Sequence, residues 1–187
     1  VEHSFYGPLY KEPSFSVFTQ VLDHSIPCLG FTLKERFHVN IMKDAVAELG
    51  LEIGPWLKEF KQALFNNQNP DSEFEVKYGK KQYKKRFVLG DLAKQIALIT
   101  PGQKISYVAD VVYSESNMEK IVELVKNADH LFIEASFLEK DRDIAEKKCH
   151  LTAWQAGLIA GKARVKQLTP FHFSPRYTGM EQQLREE

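Results

Sequence analysis

Five residues of the chain carry useful chemistry in suggestive places. His24, Asp110, Glu134 and His172 each stand at or beside the end of a predicted strand, and His150 stands just ahead of a predicted helix. Neutral imidazole nitrogen and carboxylate oxygen are good ligands for zinc or a similar divalent ion at about 2.0 to 2.2 Å, so two histidines and an aspartate delivered by three strands would suit one. Taken singly, each has an ordinary explanation as a turn aspartate or a hydrogen-bonded surface histidine. No HxH, HExxH or HxxxH pair sets two ligands on one element, so spacing alone leaves both explanations open. The only cysteines, Cys28 and Cys149, are far apart and in no ligand spacing, which argues for buried thiols rather than a disulfide framework or zinc knuckle.

The elements that must position these residues follow from periodicity. Ser14 to Leu22 alternates like a strand and ends at Asp23-His24, and Leu29 to Leu33 continues as its hairpin partner. Helical spacing predicts a helix over Val39 to Leu49, closed by Gly50, and a second one beginning at Pro55 with Leu57, Phe60, Ala63, Leu64 and Phe65 on its apolar stripe. The polar run Asn66 to Glu73 reads as a linker. In the second half, strands over Lys104 to Ala109, His130 to Ala135 and Val165 to Phe171 lead to Asp110, Glu134 and His172. Helices are predicted between them at Asn117 to Asn127, Lys140 to Lys148 and Thr152 to Lys162, with a last one from Gly179 to Glu187. Strand, helix, strand is the pattern of α/β folds, which build their sites at strand ends.

The composition of the 187 residues is that of a globular domain, 43% hydrophobic and 27% charged, with 25 Lys+Arg balancing 25 Asp+Glu. It excludes disordered, collagenous and coiled-coil classes. No apolar run could span a bilayer, and Val1 to Tyr10 lacks the order of a signal peptide, so a cytoplasmic protein with no membrane partner is expected. The chain opens at Val1 in a loop with Pro8 and Pro13, as a piece cut from something longer would. Between Val76 and Gly90, Lys77, Lys80, Lys81, Lys84, Lys85 and Arg86 occur among Tyr78, Tyr83 and Phe87 with no acid. Such a cluster suits a polyanion or a solvated face.

Five ordered blocks, Leu22 to Phe31, Tyr107 to Asp110, Ile133 to Phe137, Cys149 to Ala153 and Phe171 to Tyr177, resemble ribonuclease Z of the metallo-β-lactamase superfamily. The HxSxRY block at His172 is the most specific, and the resemblance covers most of the chain. It implies an α/β fold: the C-terminal half of an αββα sandwich, a mixed sheet with helices, in one domain over residues 1–187 with an inserted helical and basic arm at about 38–90. The superfamily's HxHxDH loop, which supplies four ligands, would precede Val1.

By resemblance, His24 is the single histidine ligand that follows the HxHxDH loop and serves one zinc ion, His172 is the last histidine ligand and serves the other, and Asp110 bridges the two ions. His150 matches the catalytic histidine and Glu134 the acid that orients it. Ser174, Arg176 and Tyr177 match positions near the substrate phosphate. Gly54 and Pro55 resemble the arm that grips transfer RNA, and Lys80, Lys81, Lys84 and Lys85 lie beside that arm. The implied activity is zinc-dependent hydrolysis of a phosphodiester, transfer-RNA 3′ processing above all, by a hydroxide held between the metals. An RNA partner, a transfer-RNA precursor, is implied with it. Two ligands per ion would leave the chain alone weakly loaded and inactive, and the uncovered sheet face implies a homodimer.

The departures are in the supporting residues. Ala109-Asp110-Val111, Ile133 before Glu134 and His150-Leu151-Thr152 stand where the family has Gly-Asp-Thr, His before Glu and His-Ser-Thr. Residues behind the ligands tune affinity and activity, so a phosphodiesterase with another substrate is an alternative. A non-catalytic RNA-binding or interaction module is a second, opposed by the retention of His24, Asp110, His150 and His172 together.

Overall fold

The computed structural model describes residues 7–79 and 83–187, which divide into two compact units. The first holds residues up to 11, Phe15–Glu35 and Gln103–Glu187; the second holds Glu12–Ser14 and Arg36–Gly102. In chain order the strands and helices are β1 (Tyr10–Lys11), β2 (Phe15–Leu22), β3 (Cys28–Glu35), β4 (Phe37–Ile41), α1 (Lys43–Glu48), α2 (Trp56–Phe65), β5 (Glu73–Tyr78), β6 (Tyr83–Val88), α3 (Leu89–Ile96) and β7 (Ala97–Pro101). Then come β8 (Lys104–Val108), α4 (Glu115–Val125), β9 (His130–Glu134), α5 (Arg142–Lys148), α6 (Ala153–Ala163), β10 (Gln167–Phe171) and α7 (Glu181–Glu186).

The first unit is α/β. Its six-stranded sheet has the order β1-β2-β3-β8-β9-β10, antiparallel through β8 and parallel from β8 to β10. Alternation along the strands sends Leu22, Thr32, Ser106, Val108, Leu131 and Ile133 to one buried face, where α4 and α6 pack. Gly30 lets α4 come close, since a Cβ there would meet Leu124 Cδ2 and Leu22 Cδ1 at 3.1 Å. Ser114 caps α4 by accepting the Asn117 N–H, and Thr152 with Gln155 forms a capping box on α6. On the other face Val21, Leu29, Leu33, Ile105 and Tyr107 are exposed.

The second unit packs α1, α2 and α3 with the β4–β7 and β5–β6 pairs around Val46, Trp56, Phe60, Val76, Leu89, Leu92 and Ile96. Two expectations are corrected here. The helix predicted over Val39 to Leu49 begins only at Lys43; Val39 and Ile41 instead pair with Ile99 and Ala97 of β7, a partner some 60 residues away that local spacing does not reveal. Nor is Asn66 to Glu73 a linker. It is a packed connection in which Ser72 and Pro70 accept the N–H groups of Leu89 and Gly90, and the approach is so close that a Cβ on Gly90 would meet Pro70 at 3.0 Å.

Candidate metal centre

Parallel strands β8, β9 and β10 end side by side, and their C-terminal ends carry Asp110, Glu134 and His172. This is where open α/β sheets place ligands. Asp110 and His172 both adopt left-handed backbone, at φ 53° and 61°, as does Cys149 at 60° beside His150. Non-glycine residues pay for that conformation, and its clustering here marks a constrained site.

Glu134 is wholly buried. Its Oε1 accepts the Val111 N–H at 2.6 Å, and its Oε2 lies 2.8 Å from both Ser136 Oγ and His150 Nδ1. Ser136 Oγ is also 2.8 Å from the His172 carbonyl, so its one proton serves either acceptor. The hydrogen bond from Glu134 raises the His150 pKa above the ordinary imidazole value; burial opposes this, and the charges of Glu134 and Asp110 reinforce it.

His24 follows β2, and its Nδ1 lies 2.8 Å from the Cys149 carbonyl. A carbonyl can only accept, so Nδ1 carries the proton and Nε2 keeps a lone pair for an ion. The loop bearing His24 is held by buried Asn117, whose Nδ2 donates to the Asp23 and Val112 carbonyls at 2.8 Å while its Oδ1 accepts the Asp23 N–H at 2.9 Å. Sequence reading placed Asn117 only at the start of a helix; a buried amide one turn past Ser114 was the available signal.

The rings of His24 and His172 each stand 5.1 Å from that of His150. Ligand atoms of His24, Asp110 and His150 lie within 4.8 Å of one another, as do those of Glu134, His150 and His172. His172 Nδ1 is 3.5 Å from Asp110 Oδ1. His150 belongs to both groups, with His24 and Asp110 in one and Glu134 and His172 in the other, and the imidazole nitrogens and carboxylate oxygens in each are donor types that suit zinc or a similar divalent ion.

The remaining predicted residues divide. Ser174 Oγ caps the turn Pro175–Tyr177. Arg176 is half-exposed, 3.5 Å from Asp141 and above the Phe137 ring. Tyr177 differs from the expectation of a phosphate contact: it is 3% exposed, and its hydroxyl donates to Asp141 while accepting the Leu138 N–H at 3.3 Å. Gly54, Pro55, Lys84 and Lys85 belong to the second unit. Pro55 precedes α2, Lys84 pairs with Glu75 at 3.2 Å, and Lys85 donates to the Leu49 carbonyl at 3.0 Å. Lys80 and Lys81 lie outside the described residues. The acid-free run is answered from β5, where Glu75 and Glu73 meet Arg86 on the facing strand and Glu75 also meets Lys77 on its own strand.

Residues 92–173 match the model of the β-lactamase superfamily domain. The chain is 32% identical over 174 residues to ribonuclease Z of Thermobifida fusca, covering 93% of this chain and 48% of that protein. It is 28% identical over 171 residues to ribonuclease Z of Deinococcus radiodurans, covering 91% and 48%. Among solved structures, the metallo-β-lactamase fold protein YhfI of Bacillus subtilis superposes with a TM-score of 0.52 at 17% identity, over 97% of this chain and 44% of that one. The chain thus spans about half the length of the curated relatives it matches.

Proposed function

We propose, for a chain that belongs to the metallo-β-lactamase superfamily and has ribonuclease Z proteins as relatives, that it forms part of a metal-dependent phosphodiester hydrolase processing the 3′ ends of transfer-RNA precursors. The observation that carries this reading is the convergence of His24, Asp110, His150 and His172 around the buried Glu134. His24, Asp110 and His172 would hold the metal, two zinc ions in the complete site. When bound there, zinc supplies Lewis acidity and a water acidic enough to attack phosphorus.

The chain's own residues do the rest. Glu134 accepts the His150 Nδ1 proton and favours the charged imidazole, so the opposite nitrogen can give its proton to the departing oxygen as the phosphorus–oxygen bond breaks. Ser136 and the Val111 N–H hold Glu134 in that pose. Arg176, at the rim, offers a guanidinium to a substrate phosphate, and the Gly54-Pro55 arm with Lys84 and Lys85 offers contacts to the RNA backbone. No described helix is long and apolar enough to cross a membrane. A second copy of the chain covering the exposed Val21, Leu29, Leu33, Ile105 and Tyr107 face belongs to the same reading.

The test is hydrolysis of a transfer-RNA precursor by the whole protein. His150→Ala should lower kcat by about 10²- to 10⁴-fold while leaving zinc content unchanged. Unchanged kcat would remove His150 from the mechanism.

A further inference from the structure

Helix α4 crosses the buried face of the first unit's sheet, and beside it, among the described residues, this face of β2 and β3 forms a cleft of about 630 Å³. Phe18 and Gln20 of β2, Lys34 of β3, Lys104 of β8 and Lys120 of α4 line it, together with one carboxylate, Glu123 of α4. Lys34 and Lys104 are direct partners in the antiparallel register of β3 and β8. Like charges directly opposite on neighbouring strands repel.

The surroundings answer this repulsion only in part. Lys104 Nζ donates to the Lys126 carbonyl at 2.7 Å, a favourable place for a cation at the end of α4. That uses one of its three protons. Burial, then Lys34, push the Lys104 pKa below the ordinary ammonium value, with Glu123 opposing and Lys126 adding to the depression. Glu123 lies 3.8 Å from Lys126 and Asp23 lies 3.9 Å from Lys120, while Asp129 takes the Lys104 main-chain N–H and pairs with Lys166. Among the described residues no carboxylate comes within 4 Å of the Lys34 or Lys104 amine.

We propose that this cleft is a phosphate site, in which Lys34 and Lys104 clasp a phosphate dianion, free or as a monoester whose organic part lies against Phe18 and Gln20. Ammonium donors on a phosphate make charge-assisted hydrogen bonds, and a dianion between two lysines turns their repulsion into attraction. Lys120 of α4 also lines the cleft, its charge partly answered by Asp23 at 3.9 Å. The hydroxyl of Thr32 takes no part, being engaged with Ser106 and the Leu124 carbonyl. Lys104 opens β8 whereas Asp110 follows its far end, so at about 3.3 Å per residue the strand keeps this site more than about 13 Å from the metal centre. The inference stands independently of the proposed hydrolase.

Calorimetric titration of the chain in EDTA, with inorganic phosphate in one arm and adenosine monophosphate in the other, tests it. Saturable one-to-one binding is expected in at least one arm. Tighter binding of the nucleotide assigns a monoester; equal or tighter binding of inorganic phosphate assigns the free ion. Lys34→Ala and Lys104→Met should each weaken it tenfold or more, and the bound ligand should raise Tm in the unsubstituted chain but not in Lys34→Ala. Lys34 is exposed, so its replacement leaves the fold intact, and His24→Ala should bind as the unsubstituted chain does. Absence of saturation by about 10 mM in both arms, or undiminished binding by Lys34→Ala, would overturn the site.

Discussion

His150 Nδ1 lies 2.8 Å from Oε2 of Glu134, a carboxylate with no exposed surface that also takes the Val111 N–H and a Ser136 hydroxyl. Removing it leaves the buried Val111 N–H and the half-buried His150 Nδ1 without their acceptor, while Ser136 keeps only the His172 carbonyl. Glu134→Ala should therefore destabilise the chain by about 3 to 5 kcal/mol, the cost of breaking a buried charged network from one side. Glu134→Gln, which keeps one acceptor oxygen, should cost less. Urea unfolding of both variants checks the order; a loss below 1 kcal/mol for alanine would mean that the network is open to water.

Tyr177 gives a stability signal at high pH. Burial first, and then the hydrogen bond to Asp141, raise its phenol above the ordinary value. The folded state thus favours the neutral phenol. Its contribution is complete below the unfolded value of about 10 and is lost as pH rises through the higher folded one. Tyr177→Phe should cost about 1 to 3 kcal/mol at neutral pH, because Asp141 and the Leu138 N–H lose their partner. It should also lose the part of the alkaline decline that ionisation of this phenol causes. Urea midpoints from pH 8 to 11 measure both; parallel declines would contradict the assignment.

The basic hairpin should contribute to RNA affinity through counterion release. Each phosphate neutralised adds about 0.7 to 0.9 to the slope of log K against log salt. Since Lys84 is already paired with Glu75 and Lys85 already donates to the Leu49 carbonyl, replacing Lys80, Lys81, Lys84 and Lys85 together should flatten the slope by about two rather than four contacts' worth. An unchanged slope in the whole protein would make the hairpin a solvated face.

The bare sheet face predicts self-association. An apolar patch of this kind is uncommon on a monomer. Light scattering should give a dimer, and Leu33→Lys with Tyr107→Lys should return it to a monomer. A monodisperse unsubstituted monomer would contradict this.

The strands and helices of the α/β fold were legible because alternation in Phe15–Leu22 and short apolar strands ending in polar residues are local signals, whereas the mixed sheet was implied by the family resemblance. The strand ends carrying Asp110, Glu134 and His172 were located by the same pattern. Their meeting at one edge was not, because it depends on β8, β9 and β10 pairing in parallel across intervening helices. β4 was misread because its partner β7 is distant in sequence. The engagement of Tyr177 with Asp141, the hold of Asn117 on the His24 loop and the Glu75 pairing of Lys84 all join residues on different elements, which periodicity along one element does not encode.

The measurement that bears most directly on the metal centre is a cobalt(II) titration of the chain, read by the visible absorbance of the bound ion, with zinc as competitor. The unsubstituted chain should bind weakly but saturably, with both nitrogen and oxygen ligands, and His24→Ala, Asp110→Ala and His172→Ala should each weaken binding tenfold or more. Affinity unaltered in all three variants would show that these residues hold no metal.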